Sequence, residues 1–189
     1  MDAGAERGRP ATISPVSTLR GRDPYALGTF YDGHAGKVRE YCKLICPAPL
    51  VDEATFVAFV DFLGRLDTAG AEVDLDELLW KATRGSAAGR AEVQDAAPAE
   101  RTSSRRSGPT EPGATCRAMP ELLAAYASGE LARNGQLDRH LVECSVCRTT
   151  ATRFRQAEGS FSKDARELPP GEIRRVWLEI AVSDPALLS

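Results

Sequence analysis

Cys116 and the run His140, Cys144, Cys147 have the residue types and spacing of a closed tetrahedral metal site, three sulfurs and one imidazole nitrogen. If residues 140–147 continue as helix, about 100° per residue puts His140, Cys144 and Cys147 on one face, and a turn among them still leaves three soft donors converging. This donor set suits Zn2+ in a structural role, because the protein fills all four positions and none stays open for water or substrate. Three of the five cysteines and one of the two histidines fall in this constellation. That concentration argues against a helix that merely carries two buried thiols and a surface imidazole.

The elements that must hold these ligands are set by composition. The chain has 189 residues, 42% hydrophobic and 27% charged, enough for one medium domain or two small ones. Residues 1–22 are rich in Gly, Arg, Pro, Ser and Thr without an apolar period and read as a disordered tail. Residues 85–113 contain no bulky apolar side chain except Val93, which marks a flexible linker over 91–113. The expectation is an all-α protein of two small helical lobes, 23–90 and 114–189, joined by that linker. No apolar run reaches the roughly 18 residues of a membrane span. The hydrophilic start MDAGAERGRP is no signal peptide, so no membrane role and a cytoplasmic location are expected. In that compartment thiols stay reduced and available to metal.

A net charge of −3 offers no bulk attraction for nucleic acid. Residues 23–85 hold eleven Asp or Glu against six Lys or Arg, so the first lobe is acidic. Arg101, Arg105 and Arg106 fall in the linker, where they read as a solubilising run.

Asp23-Pro24 is a capping acid followed by proline at the first helical position. Apolar residues then recur from Leu27 and Phe30 to Cys42 and Ile45, which predicts one long helix ended by Pro47. A second helix starts near Asp52-Glu53 with Phe56, Phe59, Val60, Leu63 and Leu66 on one stripe. A third opens with Asp74-x-x-Glu77, a capping box, and breaks up at Gly85. Cys42 and Cys46 stand four apart and share a face with His34. A second metal site is conceivable there, but buried cysteines packing as small hydrophobes are commoner.

The segments DPYALGTFYDGHAGKVREYCKLIC, VDEATFVAFVDFLGRL and DLDELLWKATRGSAAGR resemble region 2 of extracytoplasmic-function sigma factors. The resemblance implies that the second helix docks on RNA polymerase through Asp52, Glu53, Phe56 and Phe59. It also implies that the stretch around Trp80, Lys81, Arg84 and Arg90 contacts promoter DNA. The lobe is under-equipped for that second task. Melted strands are held by aromatic stacking and phosphate-seeking cations, and residues 74–90 offer one Trp and three cations; no second, helix-turn-helix domain follows.

In the second lobe, Pro120 opens a helix with Leu122, Leu123 and Tyr126 inward, stopped at Ser128-Gly129. A short helix over Leu137–Val142 delivers His140. The next starts at Ser145 with Val146, Thr150, Phe154, Ala157 and Phe161 at helical spacing, and a last helix shows Ile173, Val176, Trp177 and Ile180 on one face. So thin a core is one that bound zinc would stabilise. CRAMPELLAAYASGEL followed by LDRHLVECSVCRTTATRF resembles the zinc-binding anti-sigma factor family. That resemblance implies zinc on Cys116, His140, Cys144 and Cys147, a turn at Tyr126, Gly129, Glu130 and Leu131, and a last helix that docks on a partner or on its own lobe.

The expected function is therefore regulation of transcription through protein contacts, by a zinc anti-sigma-like module tethered to a sigma-like lobe. The expected partners are a sigma factor, the RNA polymerase core, or the chain's own N-terminal lobe in cis. One alternative is a promoter-binding initiation factor restrained in cis by the zinc module. Another is a redox sensor whose zinc thiolates oxidise and eject metal. An enzyme is not expected: no phosphate-cradling glycine loop, nucleophile elbow or paired acids occur.

Overall fold

The computed structural model describes residues 15–91, 119–132, 134–161 and 168–183, which form helices and no strand. The helices are α1 (Pro15–Arg20), α2 (Pro24–Ile45), α3 (Val51–Thr68), α4 (Leu75–Ala88), α5 (Pro120–Ser128), α6 (Gly135–Glu143), α7 (Ser145–Phe161) and α8 (Gly171–Ser183), with a 3-10 turn over Ala48–Leu50. The all-α expectation holds. No described helix is long and apolar enough to cross a membrane.

Local chemistry fixes the N-terminal helices. Asp23 accepts a hydrogen bond from the Ala26 N–H at 2.7 Å, Pro24 pre-sets the first turn, and α2 stops where Cys46 turns extended before Pro47. Asp74 accepts from the N–H groups of Asp76 and Glu77 at the start of α4. α4 then runs through Gly85 to Ala88 rather than breaking at Gly85. Tertiary packing sustains it: Ala82, Thr83, Ser86 and Ala87 are buried, and the Ser86 hydroxyl donates to the Ala54 carbonyl of α3 at 2.8 Å. Arg90 reaches Glu53 at 2.9 Å, so α3 and α4 form an antiparallel hairpin against α2.

Two further expectations need correcting. Residues 15–20, assigned to the disordered tail, form α1, whose Val16 and Leu19 are buried while Arg20 donates to the carbonyls of Leu66 and Ala69. Leu122, placed on the inner side of its helix, is 36% exposed; Leu123 and Ala124 take the buried face of α5 instead. Residues 1–14 and most of the linker, 92–113, lie outside the described residues.

The C-terminal helices share one buried cluster with α2–α4. α7 packs along α2 on one side and against α5 and α6 on the other, and α8 lies across α2 and α3. The α2 stripe alternates accordingly: Leu27, Tyr31, Ala35, Val38, Cys42 and Ile45 are buried at three- and four-residue steps, with Tyr41 buried beside them under α7.

Candidate metal centre

α6 and α7 bring three of the four proposed ligands together. Asn134 caps α6 by accepting from the Gln136 N–H at 2.9 Å, and the Tyr126 hydroxyl of α5 donates to Asp138 at 2.8 Å, which fixes the rotation of α6. His140 sits in the last turn of α6. Cys144 is the break between the helices, extended at φ −101 and ψ 108, and Cys147 lies in the first turn of α7. Arg148 reaches back to the Leu141 and Val142 carbonyls, satisfying acceptors that the end of α6 leaves open.

The ligand atoms of His140, Cys144 and Cys147 all lie within 4.8 Å of one another, so this group could hold a metal ion. In a tetrahedron with metal–sulfur bonds of about 2.3 Å the corners stand about 3.8 Å apart, so a small inward movement of the side chains closes the cage. Cys147 is buried while His140 and Cys144 are partly exposed. The N-terminal end of α7 lies at the two thiols. Cys116, the expected fourth ligand, lies outside the described residues. None of Cys42, Cys46, Cys144 and Cys147 is in a disulfide.

Away from the metal group, the two ends of the chain meet through charge and aromatic contacts. Arg84 of α4 is buried and pairs with Glu130, after α5, at 2.6 Å and with Glu158 of α7 at 3.2 Å. Burial works against the guanidinium charge, but the hydrogen bonds and charges of Glu130 and Glu158 outweigh it and hold Arg84 more firmly protonated. The Tyr41 hydroxyl donates to the same Glu158 at 2.9 Å, and burial next to that carboxylate pushes the phenol well above its ordinary range. Phe161 stands edge-on to Trp80 at 4.2 Å. A cleft of about 370 Å³ between α4 and α5 is lined by Arg65, Lys81, Arg84, Glu121 and Glu130.

α8 supplies the second contact. Trp177 is fully buried against Tyr31 and Phe59, with ring centroids 5.2 and 5.4 Å apart. Arg174 grips Asp32 with two hydrogen bonds of 2.6 and 2.9 Å, its guanidinium lying over Gly28. Ile173 packs partly buried against the same core; Val176 and Ile180 are also half-buried. The apolar stripe of α8 thus docks within the chain.

The other residues singled out from sequence are also occupied. Asp52 accepts from Arg39 at 2.9 Å, Glu53 pairs with Arg90, Phe56 is half-buried on the core and Phe59 is wholly enclosed beneath Trp177. Lys81 pairs with Glu77 one turn away at 2.8 Å. His34 contacts the Phe30 carbonyl and Asp76 and stacks on Phe30.

Sequence reasoning missed Glu130, Glu158, Asp32 and Arg174 as contact residues. A signal existed for Glu158. It falls four residues after Phe154 and three before Phe161, an acid on a buried stripe, and Arg84 follows Trp80 by four on α4 in the same way. Comparison with known proteins adds nothing to these observations: no family model, curated protein or solved structure matches the chain significantly.

Proposed function

We propose that this chain is a cytoplasmic transcription regulator that acts through protein contacts, a zinc-binding anti-sigma-like module folded over a sigma-like lobe of the same polypeptide. One observation carries the reading. Trp80 and Arg84, to which the sigma resemblance assigns promoter contact, are engaged by Phe161, Glu130 and Glu158 from the metal-binding half. A phosphate approaching Arg84 would meet a cation already neutralised by two carboxylates, and a base approaching Trp80 would meet a ring already packed. Phe59, assigned to polymerase contact, lies under Trp177. The donor set of His140, Cys144 and Cys147 suits zinc, with Cys116 as the fourth ligand.

The same contacts favour a second reading, an initiation factor restrained in cis, since every masking group follows the linker in the chain. Run-off transcription with RNA polymerase core, using the full chain and residues 1–92, separates the two. The regulator reading expects silence from both, with a sigma factor or polymerase retained in a pull-down by the full chain. Specific transcripts from 1–92 alone would replace it with the restrained-factor reading.

A further inference from the structure

Cys42 and Cys46 are buried at the far end of α2, on a different element from His140, Cys144 and Cys147. They stand one helical turn apart on the buried face of α2, and the Cys46 thiol donates to the Ala87 carbonyl at the end of α4, 3.7 Å away. Beside them stand the Thr55 hydroxyl, which now donates to the Val51 carbonyl at 2.8 Å, and the Arg90 guanidinium, which Glu53 holds in place.

Spacing decides what such a pair can do. Residues four apart on a helix have Cβ atoms about 5–6 Å apart, whereas a disulfide needs about 3.5–4.5 Å. A direct S–S bond would unwind the last turn of α2, whose closing hydrogen bond, Cys46 N–H to Cys42 carbonyl, is 2.7 Å long. A metal ion between the sulfurs adds a bond on each side and spans the wider gap. Zinc needs four ligands, and among the described residues no third His, Cys, Asp or Glu ligand atom joins this pair. A soft ion content with two sulfurs meets the geometry; thiolates select Cu(I) over harder cations.

We propose that Cys42 and Cys46 form a two-sulfur site for a thiophilic monovalent d10 cation, with Cu(I) as its probe. Binding is an exchange without electron transfer: both S–H bonds break, two S–metal bonds form, and two protons pass to solvent. The bound unit carries one negative charge. Arg90 offsets it only by giving up its pair with Glu53, and the Thr55 hydroxyl can turn from Val51 to a sulfur. Entry runs through fraying where α2 and α4 both end.

The test titrates Cu(I), buffered by a chromophoric Cu(I) chelator, into the full chain after stoichiometric Zn2+ has been added. The expected result is one equivalent of Cu(I) taken up with zinc retained, an ultraviolet sulfur-to-copper band, and loss of both in Cys42→Ser and Cys46→Ser. X-ray absorption at the copper edge of the wild type needs no variant and should show sulfur neighbours only. Uptake that persists in the double variant, copper bound only as zinc is released, or nitrogen in the copper shell would each overturn the proposal.

Discussion

Cys144 and Cys147 differ in what holds them. Cys144 sits at a partly exposed break between helices, whereas Cys147 is buried on α7, the helix that also carries Phe154, Ala157 and Phe161 into the shared core. A serine oxygen at either position is a poor substitute for thiolate, so Cys144→Ser and Cys147→Ser should each abolish binding of one zinc per chain by elemental analysis. The structural consequence should be local. α6 buries only Leu137 and Leu141 and is tied by Tyr126–Asp138, to which a bound metal would add a second attachment, while α7 is held along α2 independently of any ligand. Circular dichroism should therefore show loss of about one short helix; collapse of all helicity, or none with zinc retained, would contradict this arrangement. Structural zinc supplies on the order of 10 kcal/mol in small isolated peptides, and the shared core makes this chain less dependent on it.

At the scale of the element, α8 rests on two contacts of unequal value. Trp177 is enclosed, and Trp177→Ala should cost about 3–5 kcal/mol in denaturant unfolding if α8 stays docked, or release α8 outright. The Arg174–Asp32 pair is about half exposed on both sides, 41% and 52%, which puts its worth at about 0–1 kcal/mol. Gly28 lies beneath it, where an added Cβ would meet the Arg174 guanidinium at 2.9 Å. That guanidinium is the movable end of a long side chain, and alanine inside a helix gains about 0.5–1 kcal/mol over glycine. Gly28→Ala should therefore leave stability unchanged or raise it by up to about 1 kcal/mol; a loss beyond 1 kcal/mol would mean that the arginine is anchored more tightly than its exposure indicates. The elements themselves were largely legible in the sequence where the cause was local. Asp23-Pro24, Asp74 and Ser128-Gly129 mark helix ends by their own hydrogen bonds and backbone angles, and Gly129 takes the left-handed φ of 80° that glycine permits. α1 was not legible, because six residues with two buried side chains show no period and its anchor is Arg20 on the distant Leu66 carbonyl. The three described metal donors were visible as a spacing within one segment. The Arg84–Glu158 pair was not, since nothing in either helix states which other helix it faces.

For the whole molecule, the contact between the two halves of the chain combines a polar group, Tyr41, Arg84, Glu130 and Glu158, with the aromatic contacts of Trp80 with Phe161 and of Trp177 with Tyr31. Residues 1–92 and 112–189, expressed separately, should associate, since only the linker is lost and with it an effective concentration in the millimolar range. Arg84→Ala leaves two carboxylates facing each other without a cation and should weaken that association by about 30-fold or more, as truncating a buried partner costs about 2 kcal/mol at least. Unshifted amide spectra on mixing the wild-type halves at high micromolar concentration would remove the cis arrangement. The separation of Asp32 from its partner Arg174, 142 residues along the chain, has a further effect during synthesis. A ribosome adding about 5–20 residues per second finishes α4 about 4–18 s before it reaches Trp177. Through that interval Phe59 lacks its cover, while Trp80 and Arg84 wait a shorter time, until Phe161, Glu130 and Glu158 are made. A partner suited to those side chains meets them more readily on a nascent chain than on a finished one, and the speed of translation sets how many copies it captures.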